Sequence, residues 1–295
     1  MAMFIVIEGL DGCGKSTQLD LLKHNLENAD FITFPYYETD SGKIIKAYLE
    51  GKYGENLNET DAYSASIMYA LDRYTSFKTH WQSLYENENI LVSARYTSSN
   101  AIYQMNKLPK DKWSEFLDWL YDLEYKKLGL PEPDLTIFLD MPVEISQKML
   151  SQRYDGDESK KDIHEKNTKF LRDCRIAAHY VACKENWFII RCYEDGNPRT
   201  IEDIQNEILE TIEMYEFMTK DTKPSEQKLE SKNEERRCYQ CVHYLESYFC
   251  GYNESRCEIH GSLDLGQTER HPDITAKTCD DYKESPFIIK ERKTP

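Results

Sequence analysis

FIVIEGLDGCGKST, from Phe4 to Thr17, runs from four apolar residues into a glycine-rich loop that fits G-x-x-x-x-G-K-[ST] in full. The glycines let successive backbone N–H groups turn inward on phosphate oxygens, and a helix opening near Lys15 adds its positive dipole end. In this pattern Gly9, Gly12, Cys13, Gly14, Lys15, Ser16 and Thr17 are the candidate ATP contacts. Lys15 is expected to reach the β- and γ-phosphates, and the Ser16 hydroxyl to face Mg²⁺. By average residue usage a chance match arises about once in a hundred chains of this length. Here the loop also sits between a strand-like run and a helix-like one, as its chemistry requires.

Outward from the loop, strand-like and helix-like segments alternate. Short apolar runs recur at Phe4–Ile7, Phe31–Phe34, Ile90–Val92, Leu135–Leu139 and Phe188–Ile190. Amphipathic stretches lie between them, among them Ser16–Leu26, Ala62–Leu84 and Lys112–Leu128, and a last one spans Ile201–Met218. This pattern predicts a three-layer α/β unit of the P-loop NTPase type, with a five-stranded parallel sheet. Its nucleotide site belongs at the carboxyl ends of the strands.

Four further motifs resemble thymidylate kinases over about residues 1–215. These are Phe34-Pro35-Tyr36-Tyr37 with Ser41-Gly42, Tyr69-Ala70-Leu71-Asp72-Arg73, Arg95-Tyr96 with Ser99-Asn100 and Tyr103, and the run Leu128–Pro142. The acidic Asp11 inside the loop matches too. The resemblance implies ATP-dependent phosphorylation of dTMP to dTDP with Mg²⁺, by a homodimer associating through helices. It places Tyr69 on the thymine ring and Arg73 on a base carbonyl, one helical turn apart on one face. Asn100 would meet the ring N–H, and Tyr103 would exclude a 2′-hydroxyl. Arg95 and Tyr37 would hold the acceptor phosphate, Phe34 would line the pocket, and Asp11 would contact the 3′-hydroxyl or the metal's water shell. Blander roles stand beside these: Tyr69 as a core aromatic, Asp72 as a solvated partner of Arg73, Phe34 as the end of a buried strand.

An anionic acceptor needs no activated nucleophile, so alignment and charge neutralisation carry the transfer. Lys15, Arg95, Asp11 and a lid arginine are the catalytic candidates. The polar stretch Ser151–Lys166 looks like the lid, and Arg153 is its single arginine; a solvent-exposed loop arginine is the competing reading. One departure stands out. Thymidylate kinases usually carry aspartate before the Arg-Tyr pair, and Ala94 stands there. Glu8, Asp11 and Asp140 are the carboxylates that strand order brings near.

The character of the chain then changes. Residues 1–218 form the kinase-like part, 219–237 read as a polar linker, and 238–295 form a small Cys-rich module that needs a metal staple. Cys238, Cys241, Cys257 and Cys279 are the expected zinc ligands, with Cys250 as alternative. An iron–sulfur cluster and disulfides remain open, and the module's partner is unknown. A net charge of −16 argues against a nucleic-acid partner. No apolar run near the start is long enough for a membrane span or signal core, which places the protein in the cytoplasm. Two other activities stay open: a kinase for another deoxynucleotide or a deoxynucleoside, and a non-catalytic nucleotide sensor whose output is the Cys module.

Overall fold

The computed structural model of the chain describes residues 2–54, 59–87, 89–157, 164–165, 167–220, 256–257 and 261–262. Contacts divide the chain into the units Met1–Thr222 and Lys223–Pro295. In the first unit, β1 (Met3–Gly9), β2 (Ala29–Thr33), β3 (Ile90–Ala94), β4 (Leu135–Asp140) and β5 (Phe188–Arg191) form one sheet. The order is β2-β3-β1-β4-β5, and every pairing is parallel, as the alternating pattern predicts. The helices are α1 (Lys15–Asn25), α2 (Asp40–Leu49), α3 (Ala62–Ser76), α4 (Gln82–Glu86), α5 (Thr97–Tyr103), α6 (Trp113–Tyr121), α7 (Val143–Arg153), α8 (Thr168–Lys184) and α9 (Ile201–Lys220).

β1 is buried on both faces, which explains its unbroken apolar run. Ile5 and Ile7 join a cluster with Leu19 and Leu22 of α1 and Ile204, Ile208 and Ile212 of α9. Phe4 and Val6 point the other way, toward Trp81, Tyr96 and Leu130. Beside them α5, α6 and α8 share a third cluster built on Phe116, Leu117, Leu120, Ala177 and Val181. Helices therefore cover both sides, giving three layers. A short antiparallel hairpin, β6 (Tyr193–Glu194) with β7 (Asn197–Pro198), follows the last strand.

Two predicted helices differ from simple α-helices. Ala62–Leu84 divides into α3, a π-helical turn at Phe77–Trp81, and α4. Lys112–Leu128 becomes α6 followed by a π-helical segment, Asp122–Lys127. The wider turn lets a helix change which face it buries. It carries Trp81 and Glu124 to complete burial. β3 continues to Ala94, two residues past its apolar run, because buried Ser93 satisfies its hydroxyl on the Arg95 carbonyl at 2.7 Å. The lid stretch begins inside a helix, since Ser151–Arg153 end α7.

Among the described residues no helix is long and apolar enough to cross a membrane. Cys238, Cys241, Cys250 and Cys279 lie outside the described residues. In the second unit β8 (Arg256–Cys257) pairs antiparallel with β9 (Gly261–Ser262), Cys257 opposite Gly261.

Candidate active site

The sheet order sets the ends of β3, β1 and β4 side by side, and the site grows from them. β1 ends at Gly9 and the loop then turns into α1. Gly14 stands at the N-cap with φ 93°, a left-handed backbone that suits glycine, and no side chain closes the helix end. The first N–H groups of α1 are thus left for an anion. Lys15 Nζ donates to the carbonyls of Gly9 at 2.6 Å and Leu10 at 2.8 Å, so its charge is parked on the loop itself. Gly12, Gly14, Lys15, Ser16 and Thr17 line an open donor cavity of about 480 Å³. That volume falls within the range of small-ligand pockets. Gly9 and Cys13 do not line it. The Cys13 side chain packs into the core, with its N–H bonded to the Leu10 carbonyl at 3.3 Å.

Arg95 follows β3 with φ 64°, a strained position for a non-glycine residue and a frequent mark of a functional site. Its N–H donates to the Ile7 carbonyl at 3.2 Å, tying the turn to β1. The guanidinium donates to Asp11 through Nη2 and to Ser99 Oγ at 3.5 Å through Nη1. Tyr103 OH donates to the other Asp11 oxygen at 2.9 Å. Burial works against ionisation of Asp11, but Arg95, Lys15 and the tyrosine hydroxyl together hold its carboxyl below the usual value. Burial would also weaken the charge on Arg95; Asp11 beside it keeps the guanidinium protonated.

A second, smaller cavity opens on the other side of Asp11 and Arg95. Phe34, Tyr37, Tyr69, Arg73, Asn100 and Tyr103 all line it. Every residue assigned to the acceptor from sequence is therefore brought together. Tyr69 and Arg73 share one face of α3, while Tyr37 is 44% exposed at the rim. Phe34 serves both readings: it is buried against Trp81 and Tyr96, and its edge still reaches the cavity. Asp11 and Arg95 line both cavities.

Asp72 is not a solvated partner of Arg73. It is 1% exposed and accepts from Tyr36 N at 2.9 Å and Ser41 Oγ at 2.8 Å, fixing the loop that carries Tyr37. That loop packs so closely that a Cβ on Gly42 would lie 1.7 Å from the Tyr36 carbonyl oxygen. Gly42→Ala is expected to push Tyr36–Tyr37 outward at about 1–3 kcal/mol. The KM for the acceptor should rise well before that for ATP, as steady-state kinetics would show.

Arg153 lines the donor cavity, at the end of α7, together with Glu165 and Ala94. Of the three carboxylates expected near the metal, only Asp11 faces that cavity. Glu8 is fully buried and accepts from Gly9 N, Ser98 Oγ and Ser99 Oγ. Asp140 accepts from Arg175 Nε and Nη2, both at 2.7 Å, with His179 at 3.3 Å. Burial opposes its charge, but these partners hold its pKa down to about 2. The stability this pairing contributes is fully present above pH 3.8 and is lost as pH falls toward 2. It is worth about 2 kcal/mol. Asp140→Asn should flatten acid unfolding over that window, measured by circular dichroism against pH.

Sequence reasoning missed three residues. Glu124 accepts from Arg73 at the back of the acceptor cavity, yet its segment reads as an ordinary charged helix surface. Gln104 is 1% exposed, lines the acceptor cavity, and its Oε1 has no hydrogen-bond partner. The signal was present, one residue beyond Tyr103. His164 stacks on Tyr103 with ring centroids 5.5 Å apart. Burial, with Lys107 and Arg95 nearby, pulls its pKa down to about 4 despite Asp11, so the ring is neutral near pH 7. A histidine in a polar stretch gives no such hint.

The family profile for thymidylate kinase matches residues 7–208. A probable thymidylate kinase of Methanococcus maripaludis is 31% identical over 218 residues, covering 72% of this chain and 96% of the relative. A thymidylate kinase of Mycobacterium tuberculosis is 30% identical over 149 residues, 49% of this chain and 68% of the relative. The solved thymidylate kinase of Candida albicans shares the fold, with TM-score 0.56 and 22% identity over 73% of this chain and 92% of that one. With a matching profile over most of its length and the phosphate loop, shared Asp11–Arg95 wall and acceptor cavity in place, the chain belongs to the thymidylate kinase family.

Proposed function

We propose that the chain transfers the γ-phosphoryl group of ATP to dTMP, giving ADP and dTDP. The observation that carries this is the meeting of two cavities at Asp11 and Arg95, one holding the phosphate loop and the other the aromatic and amide side chains. A phosphate oxygen of dTMP attacks the γ-phosphorus in line while the bond to the β–γ bridging oxygen breaks. Lys15 moves from the Gly9 and Leu10 carbonyls onto the phosphates, and Arg95 and Arg153 neutralise charge on either side of the transfer.

The donor cavity offers hard oxygen donors, Ser16, Thr17, Asp11 and Asp20, which fits Mg²⁺. Ser16 would hold the ion and Asp11 its water shell, and the ion would supply further charge neutralisation at the phosphates. With Ala94 in place of a carboxylate, the protein would hold that ion through fewer of its own oxygens.

In the acceptor cavity Tyr69 stacks on the base, Arg73, Asn100 and Gln104 address its polar edge, Tyr103 meets the sugar, and Tyr37 with Arg95 holds the phosphate. A steady-state assay of the full chain with ATP, Mg²⁺ and a panel of monophosphates tests this. A clear kcat/KM preference for dTMP is expected; ATP binding without turnover on any acceptor would leave a nucleotide sensor instead.

The chain is also expected to dimerise, supported by exposed Ile67 and Leu71, four residues apart on α3. Light scattering of the purified protein checks that. The Cys-rich segment 238–295 is expected to hold one zinc ion per chain, joined through the polar linker 219–237 as an accessory to the kinase part. Elemental analysis showing no zinc or iron in freshly purified protein would remove the metal from it.

A further inference from the structure

Glu124 sits at the hub of the acceptor cavity's back wall. It is fully buried, in the π-helical segment Asp122–Lys127, and four donors converge on its two oxygens. Arg73 donates through Nε and Nη2, both at 2.6 Å, in the forked geometry that guanidinium and carboxylate share. Thr97 Oγ1 donates to Oε2 at 2.8 Å. Asn100 Nδ2 donates to Oε1 at 3.3 Å.

The last contact has a consequence for recognition. Asn100 Nδ2 also donates to the Ser66 carbonyl at 3.2 Å, so the nitrogen lies between two oxygens that only accept. Turning the amide over would set its carbonyl against both, which neither can satisfy. The Asn100 orientation is therefore fixed, and Oδ1 is the atom left for a ligand. For Arg73 the converse holds. Two of its nitrogens are on Glu124, and Nη1 donates one N–H to the Tyr96 carbonyl at 3.4 Å, which leaves its second N–H for a ligand. Both residues line the acceptor cavity.

We infer that Glu124 is a positioning residue that sets the polarity of base recognition. By holding Arg73 and the Asn100 nitrogen, it presents the cavity with one donor and one acceptor. That pair complements the C=O and N–H of a pyrimidine imide, the edge of thymine or uracil. Cytosine presents an amino group and a bare ring nitrogen there, so both partners would face their own kind. A site built this way rejects the mismatched analogue because its buried polar groups are left unpaired. This rests on the assignment of the cavity to a pyrimidine monophosphate acceptor.

The test compares dTMP and dCMP on full-length wild type, Glu124→Gln and Glu124→Asp, by calorimetric affinity and by kcat/KM. A glutamine at 124 sets an NH2 group against one of the two Arg73 donors, which loosens the fork, and it leaves Asn100 oriented by the Ser66 carbonyl with a weaker or lost second partner. Glu124→Gln should lower the dTMP-to-dCMP preference by about tenfold or more, chiefly through the KM for dTMP. Glu124→Asp keeps the charge opposite Arg73, and with it the fold, but withdraws the carboxylate from Asn100. A smaller loss of preference is expected from it, and it serves alone if the glutamine variant does not fold. An unchanged preference with both affinities weakened equally would make Glu124 a purely structural residue and overturn the inference. No preference for dTMP in the wild type would instead sink the assignment of the cavity itself.

Discussion

Arg95→Ala should lower kcat by about 10²–10³-fold, with a rise in the KM for dTMP and little change in that for ATP. Arg95 is the positive group on the wall shared by the two cavities, so its removal acts where charge moves during transfer. The loss is double. The acceptor phosphate loses a counter-charge, and Asp11 loses its nearest one, leaving Lys15 and the Tyr103 hydroxyl to hold it ionised. Lysine should not restore the rate, because a single ammonium cannot reach Asp11 and Ser99 at once as the guanidinium fork does. The side chain is not core packing, so the melting temperature should stay within a few degrees of wild type. A kcat within threefold of wild type, with the fold intact, would remove Arg95 from the reaction.

The sheet and the donor site were legible because local chemistry dictates both. A loop that must wrap phosphate restricts the residues at Gly9–Thr17, and strands buried on two faces cannot hide their apolar runs. The acceptor residues were legible only jointly, through the spacing of Tyr69, Arg73, Arg95, Asn100 and Tyr103. What stayed hidden was polar burial. Asp72 and Glu124 look like surface carboxylates in the sequence and Asp140 like a site carboxylate, since nothing local reveals the partner that pays for a buried charge. Tyr36 N lies 36 residues from Asp72, Arg73 51 residues from Glu124, and Arg175 35 residues from Asp140. The π-helical turns hid for a related reason. A helix that re-registers its face midway leaves an apolar pattern fitting neither one helix nor two. Ala94 was read as a lost carboxylate; of the three neighbours expected to replace it, Asp11 faces the donor cavity, while Glu8 is engaged by serines and Asp140 by Arg175.

Arg73→Met should be the most destabilising of these substitutions, for electrostatic reasons more than for lost packing. Arg73 is 2% exposed and Glu124 is fully buried, so methionine leaves a carboxylate in the core without its counter-ion. Breaking a buried pair in this way costs about 3–5 kcal/mol. For a folded unit of this size that is a fall of about 6–20 °C in melting temperature, measurable by calorimetry. The paired substitution separates stability from function. In Arg73→Met with Glu124→Leu both charges are gone, and two apolar side chains of similar volume can fill the space between α3 and the Asp122–Lys127 turn. Replacing a buried ion pair by apolar groups is often neutral or better, so most of the lost stability should return. Acceptor binding should not return with it. The donor proposed to meet the base is absent, and Asn100 has lost one of the two oxygens that orient it. A double variant that is stable but binds dTMP at least tenfold more weakly would show that the chain keeps this pair for recognition. A double variant as unstable as the single one would mean that the hydrogen bonds from Thr97 and Asn100 also hold the core together, and that recognition and folding draw on the same carboxylate.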